Sequence, residues 1–479
     1  MQQPAAARSA SPFGAWGAAA AIILYILLLT ALRLALSPFL EIDEAAFVGA
    51  VDLRLVYADA HPPLYAWLVR GALELTDGRW ILAVAAVKAG LLAALHLLVF
   101  DAARRVAGAT AGLVAVALTA LMPQLSFMAA HTLTHPVLAS VAAAGLVNGV
   151  ARLATGPRWS ACLVLGVALA AGALAQPEIW LLAVPLGVAM IADRFWYDRL
   201  ASAWTFLVPL LVGIIAGPAL WALADALKAS GGRIGRLYAE GRFEAVDVSG
   251  VGVDGVLSLA VAAGLSGGLV ALLVLAFART RPALAAEGHA VRRLLWRTLA
   301  LALTLSAAGV LAADVSVVAP RALMPILMPL PVVAALHLAG RRPWALLKAG
   351  ATVFLLVPVA IAGVTAFGDH RFVRPYDVWA REILAAAPQG RIAVTASRQV
   401  LAANMMLAFR RAGRDAWVAH DRHAPLTDVA VVLAPGPGAA PAPPDGLCPD
   451  AEVTTTAPLR NLAATPMTVR ATIARRCRP

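Results

Sequence analysis

The chain has 479 residues, of which 61% are hydrophobic and only 14% charged, against roughly 25% charged in an ordinary soluble domain. That composition excludes a soluble globular protein of this size, and its apolar runs recur near the roughly 20 residues that cross a bilayer core. The net charge of +12 does not point to nucleic acid, because no basic stripe with interleaved aromatics is present.

Apolar runs between charged punctuation predict about eleven membrane spans, near 13–36, 80–100, 108–128, 134–151, 159–175, 178–192, 203–224, 255–278, 297–313, 322–339 and 349–367. The first is too long for a signal-peptide core and reads as a retained anchor. Arg104 and Arg105, Arg152 and Arg158, Arg194 and Arg199, Arg279 through Arg297, and Arg341 with Arg342 fall in short segments between spans. This is the positive-inside pattern. With the N-terminus inside, alternation puts every one of these clusters in the cytoplasm. It leaves 37–79, 225–254 and the tail from 368 outside. Two domains are therefore expected: a membrane all-α polytopic bundle over 1–367 and a small C-terminal extracytoplasmic α/β domain over 368–479.

The tail is of different material. GRIAVTA (390–396), DAWVAH (415–420) and DVAVVLAP (428–435) read as strands, and SRQVLAANMMLAFRRAG (397–413) as a helix ending at Gly413. APGPGAAPAPPDG (434–446) reads as a loop. Cys448 and Cys477 both lie in this tail, where an oxidising compartment permits a disulfide. Cys162 lies in an apolar run as packing.

The first outer loop carries the chemistry. It holds Glu41, Asp43, Glu44, Asp52, Asp59, Glu74 and Asp77, the stiff His61-Pro62-Pro63, and the aromatics Tyr57, Tyr65 and Trp67. A solvated loop with surface helices accounts for Asp52, Glu74 and Asp77. It accounts less well for adjacent acids at the mouth of the first span, followed by His-Pro-Pro. IDEAAF (42–47) followed by YADAHPPLYAWL (57–68) resembles the signature of the glycosyltransferase-C superfamily. The similar branch contains protein O-mannosyltransferases, lipid A aminoarabinose transferases and lipopolysaccharide galacturonosyltransferases. LMPQLSFMAAHTLTHPVLA (121–139), ALAQPEIWLLAVP (173–185) and PRALMPILMPLPVV (320–333) resemble further pieces of that family, and Gln176 stands where it often has Lys.

The resemblance implies a multi-pass enzyme of the bacterial inner membrane with a periplasmic active site. Such an enzyme takes a sugar from a polyprenyl-phosphate-linked donor and moves it to an acceptor hydroxyl on lipid A, lipopolysaccharide core, another envelope glycan or a protein. It further implies that the Asp of the Asp-Glu pair is the catalytic carboxylate and that the position before Pro-Pro lies near the donor phosphate. The residue types suit those roles independently. An acceptor hydroxyl attacking an anomeric carbon must lose a proton, which a positioned carboxylate accepts. A departing lipid phosphate develops charge that a cation stabilises. Asp43 thus reads as base and Glu44 as a neighbour that positions it or binds acceptor. His61 and Arg321 read as phosphate contacts, with Tyr57, Tyr65, His135 and Gln176 as candidate substrate-site residues.

Each has a plainer reading: helix capping for Asp43, a polar helix start for His61, snorkelling for Arg321. His131 and His135 have the spacing of two metal ligands on one helical face, but no third ligand is evident, so neither metal nor cofactor is expected. Lys88, inside the second span, is either functional or a buried structural contact. Arg233, Arg236 and Arg242 could meet a phosphate or anionic headgroups. The competing function is a transporter or lipid-linked sugar flippase without transfer chemistry. It would favour paired repeats, and none is clear. A third reading is a non-catalytic member of the same fold.

Overall fold

The computed structural model describes residues 14–48, 53–56, 62–229, 253–277, 284–313, 315–338, 343–368, 371–419, 429–436, 441–443, 447–461 and 464–477. Tyr57, Asp52, Asp59, His61, Arg233, Arg236 and Arg242 lie outside them. In chain order the helices are α1 (Ala15–Leu36), α2 (Ile42–Ala45), α3 (Leu64–Leu75), α4 (Trp80–Ala107), α5 (Ala109–Ala120), α6 (Ala129–His131), α7 (His135–Thr155), α8 (Arg158–Ala175), α9 (Trp180–Ile191) and α10 (Arg194–Leu200). There follow α11 (Leu207–Ile215), α12 (Gly217–Ala229), α13 (Val253–Ala276), α14 (Ala286–Ala312), α15 (Met324–Leu327), α16 (Pro329–Leu338), α17 (Pro343–Phe367), α18 (Tyr376–Ala386) and α19 (Gln399–Arg411).

Among the described residues, seven helices are long and apolar enough to cross a membrane, and up to 11 spans result if each bent pair counts once. All eleven expected spans coincide with such a helix or pair. The bends have local causes. Pro123 opens a π-helical turn at Gln124–Met128, and α5 turns by 87° into it; Pro329 starts α16 after a 54° bend. The span expected at 297–313 is longer, because α14 begins at Ala286. Its first turns carry Arg292, Arg293 and Arg297, and their charges hide the helix from a hydropathy reading.

The chain forms two compact units. The first comprises the described residues of Met1–Leu29, Arg54–Leu68 and Val87–Val357. Without a hydrophobic drive between helices in lipid, association rests on close packing of small residues, and α7 against α8 shows it. Gly145 and Gly149 face α8 so tightly that a Cβ at Gly145 would lie 2.8 Å from Ala168 Cβ, and one at Gly149 would lie 2.6 Å from Leu165 Cγ. Two carboxylates tie helices together. Asp101 on α4 accepts from Arg105 at 2.6 Å and from Asn148 and Arg152 of α7 at 3.0 and 3.1 Å, and it also pairs with Arg104. Asp193, at the α9–α10 corner, accepts from Arg293 and Arg297 of α14 at 2.9 and 3.0 Å.

The second unit comprises Thr30–Leu53, Val69–Ala86 and Pro358–Pro479, again in their described residues. It holds a five-stranded sheet of order β2-β1-β3-β5-β4. Ile392–Ala396 (β1), Ala416–Val418 (β2) and Val429–Pro435 (β3) are parallel, while Leu447–Pro458 (β4) and Pro466–Arg476 (β5) form an antiparallel pair joined to β3. The α19 helix connects β1 to β2 and ends in a Schellman cap at Gly413. Gly413 has φ +82, with Gly413 N donating to Arg410 O and Arg414 N to Phe409 O. Cys448 and Cys477 are joined as a disulfide across the β4–β5 pair. Neither β4, β5 nor α18 is among the expected elements. In β5, Ala471, Thr472, Ile473 and Ala474 are all buried, as is Val469.

Candidate functional site

In the second unit, the acid-bearing turn after α1 is held on all sides. Glu41 caps α2 in a reciprocal capping box: Glu41 Oε2 accepts from Ile42 N at 2.9 Å, while Glu44 Oε2 accepts from Glu41 N at 3.0 Å. Glu44 Oε2 also pairs with Arg33 at 2.9 Å. Arg33 further donates to Ser37 O at 2.9 Å and Phe39 O at 2.7 Å, and its guanidinium stacks 4.0 Å over the Phe372 ring. Glu41 faces Arg371 at 3.5 Å. Glu41 and Glu44 are each 1% exposed, whereas Asp43 between them is half-buried. Of three acids in four residues, the flanking two thus hold the turn through bonds to backbone and arginine, and the middle one is half-buried.

The same turn is gripped from α19. Leu40 N donates to Asn404 Oδ1 at 2.7 Å, Asn404 Nδ2 donates back to Leu40 O at 2.9 Å, and Gln399 Nε2 donates to Ala46 O at 2.8 Å. Phe39 packs on Tyr376 with ring centroids 4.7 Å apart. Burial pushes the Tyr376 hydroxyl above its ordinary value. None of Arg33, Arg371, Gln399 and Asn404 is among the sequence-derived candidates. Two left a trace there: Arg33 interrupts an apolar span, and Asn404 stands within an apolar helix.

In the first unit, Tyr65 and His135 come together: both are buried, with rings 5.3 Å apart. Pro136 opens α7 behind His135. Leu64 and Trp67 of α3 pack on Ala170, Ala173 and Leu174 of α8, the helix that ends at Gln176. Gln176 is buried at the turn into Pro177–Ile179. Lys88 Nζ donates to His131 O at 3.2 Å, which supplies the structural contact for that intramembrane cation. Arg321 is exposed. The segment bearing it is fixed on α13, where Val318 N donates to Ser258 Oγ at 2.9 Å and Ser266 Oγ to Pro320 O at 3.4 Å. It leads into α15, which packs against both α7 and the 177–179 turn. Tyr65, His135, Gln176 and the Arg321 segment therefore belong to connected elements of one unit. Asp43 and Glu44 belong to the other. Among the described residues, no three His, Cys, Asp or Glu gather as a metal site.

Comparison with known proteins adds three findings. The family described as dolichyl-phosphate-mannose-protein mannosyltransferase matches residues 60–221. The lipopolysaccharide core galacturonosyltransferase RgtA of Rhizobium johnstonii is 31% identical over 193 residues, 40% of this chain and 38% of that protein. RgtB of the same organism, with the same description, is 27% identical over 367 residues, 74% of this chain and 73% of that one. Thus the chain spans well under half of the first relative and about three quarters of the second. ArnT from Cupriavidus metallidurans bound to undecaprenyl phosphate shares the fold, with a TM-score of 0.61 at 12% identity over 96% of this chain and 98% of that one. Its apo form gives 0.59 at 14% with the same coverage.

Proposed function

Since the chain belongs to the glycosyltransferase-C superfamily of sugar-transferring membrane enzymes, we propose that it moves a sugar from a polyprenyl-phosphate donor to an acceptor hydroxyl of lipopolysaccharide. A galacturonosyl donor is the first to test, after the relatives RgtA and RgtB. The reading is carried by the turn 41–46, where Glu41 and Glu44 are buried against arginines and the Asp43 between them is half-buried.

In the proposed reaction the acceptor oxygen forms a bond to the anomeric carbon as the bond from that carbon to the donor phosphate oxygen breaks. The acceptor proton passes to the Asp43 carboxylate. The electron pair leaves with the lipid phosphate, whose charge His61 and Arg321 stabilise. Glu44 positions Asp43 by holding the turn, and Tyr57, Tyr65, His135 and Gln176 belong to the substrate site. The domain division, 1–367 and 368–479, and the sidedness are part of the same proposal, with the active site and tail periplasmic. The Arg clusters support that orientation, and so does a disulfide in the tail.

The test is transfer by purified, reconstituted protein. Asp43→Asn keeps size and hydrogen bonding but removes the proton acceptor, and turnover is expected to fall about 10²-fold or more with donor binding retained. Near-normal turnover would overturn the assignment. Mass spectrometry of envelope glycolipids with and without the gene would identify sugar and acceptor together. Reporter fusions after Arg105 and Arg199 should read cytoplasmic, and fusions after Gly78 and in the tail external.

A further inference from the structure

We propose that the C-terminal α/β domain is a positioning device for the transfer step, and that Asn404 is its chief positioning residue. This rests on the assignment of Asp43 as base. Asn404 is fully buried near the middle of α19, among Leu401, Ala403, Met405 and Ala408. An Asn there is unfavourable on two counts. Its helix propensity is poor in an interior turn, and a buried amide costs free energy unless it is bonded. Packing alone would be served better by Leu.

What Asn404 does is read a backbone. Its Oδ1 accepts from Leu40 N at 2.7 Å and its Nδ2 donates to Leu40 O at 2.9 Å, so one side chain satisfies both polar groups of one residue. Those groups belong to the residue immediately before the Glu41 cap, three positions from Asp43. One α-helix also holds the far side, since Gln399 Nε2 donates to Ala46 O at 2.8 Å. The α2 turn is therefore entered and left through amides of a single rigid element. In between, Arg371 faces Glu41 and Arg33 pairs with Glu44. Every one of these partners lies in the second unit.

The geometry bears on rate. General base catalysis requires the carboxylate within hydrogen-bond reach of the proton it takes, and a displacement of about 1 Å can cost on the order of 10²-fold. A four-residue helix cannot hold that tolerance alone, because isolated helices of such length are not stable. The α19 clamp supplies the rigidity, through its contacts to the backbone on either side of α2.

The experiment compares full-length, reconstituted Asn404→Leu, Gln399→Met, Asp43→Asn and the double variant Asp43→Asn/Asn404→Leu. The probes are undecaprenyl-phosphate galacturonate as donor and lipopolysaccharide core as acceptor. Asn404→Leu is expected to lower kcat about tenfold to 10²-fold with donor KM unchanged, and Gln399→Met to lower kcat severalfold. If Asn404 acts through Asp43, the double variant is no slower than Asp43→Asn alone, because residues acting as a unit are non-additive. A residue serving stability only would lower yield and leave kcat per folded molecule intact. Wild-type kcat in folded Asn404→Leu and Gln399→Met, or losses that multiply in the double variant, would overturn the proposal while leaving Asp43 as base. Near-normal turnover in Asp43→Asn would instead overturn the base assignment on which it rests. Should Asn404→Leu fail to fold, Gln399→Met, altered at a half-buried position, carries the decision by the same criterion.

Discussion

Replacing Arg33 by Met tests how the acid-bearing turn is held. Arg33 and Glu44 form an ion pair of 2.9 Å whose side chains are only 10% and 2% exposed. Removing one partner of a buried pair leaves the other charge uncompensated, at a cost of about 3–5 kcal/mol. The variant also gives up donation to Ser37 O and Phe39 O and the stacking on Phe372, so the upper part of that range is expected for the turn. Local opening is reported by hydrogen exchange, and the informative amides are Leu40 and Glu41, bonded to Asn404 Oδ1 and Glu44 Oε2. At about 1.4 kcal/mol per tenfold, their exchange should accelerate on the order of 10³-fold in Arg33→Met. The double variant Arg33→Met/Glu44→Gln removes both charges and keeps an acceptor for Glu41 N. It should therefore recover much of the loss, as removing both partners of a buried pair often does. Exchange within threefold of wild type in Arg33→Met, or a double variant as unprotected as the sum of the singles, would refute the reasoning.

Gly149→Val should loosen α7 from α8 and lower the melting temperature and yield in detergent, since its Cβ would enter Leu165 at 2.6 Å and overpacking costs about 1–3 kcal/mol. Gly90→Ala, where nothing lies within 4 Å, is the matched control and should be neutral. Cys448 and Cys477, 29 residues apart, should appear as one linked peptide in non-reducing mass mapping, and replacing both by Ser should destabilise the β4–β5 pair by about 3–4 kcal/mol; two free thiols in mature protein would count against the bridge. Tyr376 holds its proton more tightly folded than unfolded. Its contribution is therefore present below the ordinary tyrosine value near 10 and lost as pH rises above it. Alkaline melting curves should show Tyr376→Phe losing less stability than wild type between about pH 9 and 11.

Much of this molecule is legible in one dimension. Eleven apolar runs correspond to eleven helices or bent pairs, because a bilayer span needs only length and hydropathy, and both are local. The tail strands β1–β3 and the end of α19 at Gly413 are likewise local, resting on short apolar runs and on the one residue type that takes φ +82 without strain. The edge strand β4 escaped because its exposed face carries Asp450, Glu452, Thr454 and Thr456 while Thr455 stands on its buried face, so the alternation in burial is not matched by one in residue type. The acids at the mouth of the first span, with their suggestion of chemistry, were also evident from charge alone. Their division of labour was not. Glu44 is separated from Arg33 by 11 residues, but Glu41 from Arg371 by 330 and Leu40 from Asn404 by 364. No periodicity links positions so far apart. Which carboxylates are buried against arginines, and which is only half-buried, depends on partners that only the folded chain brings to them.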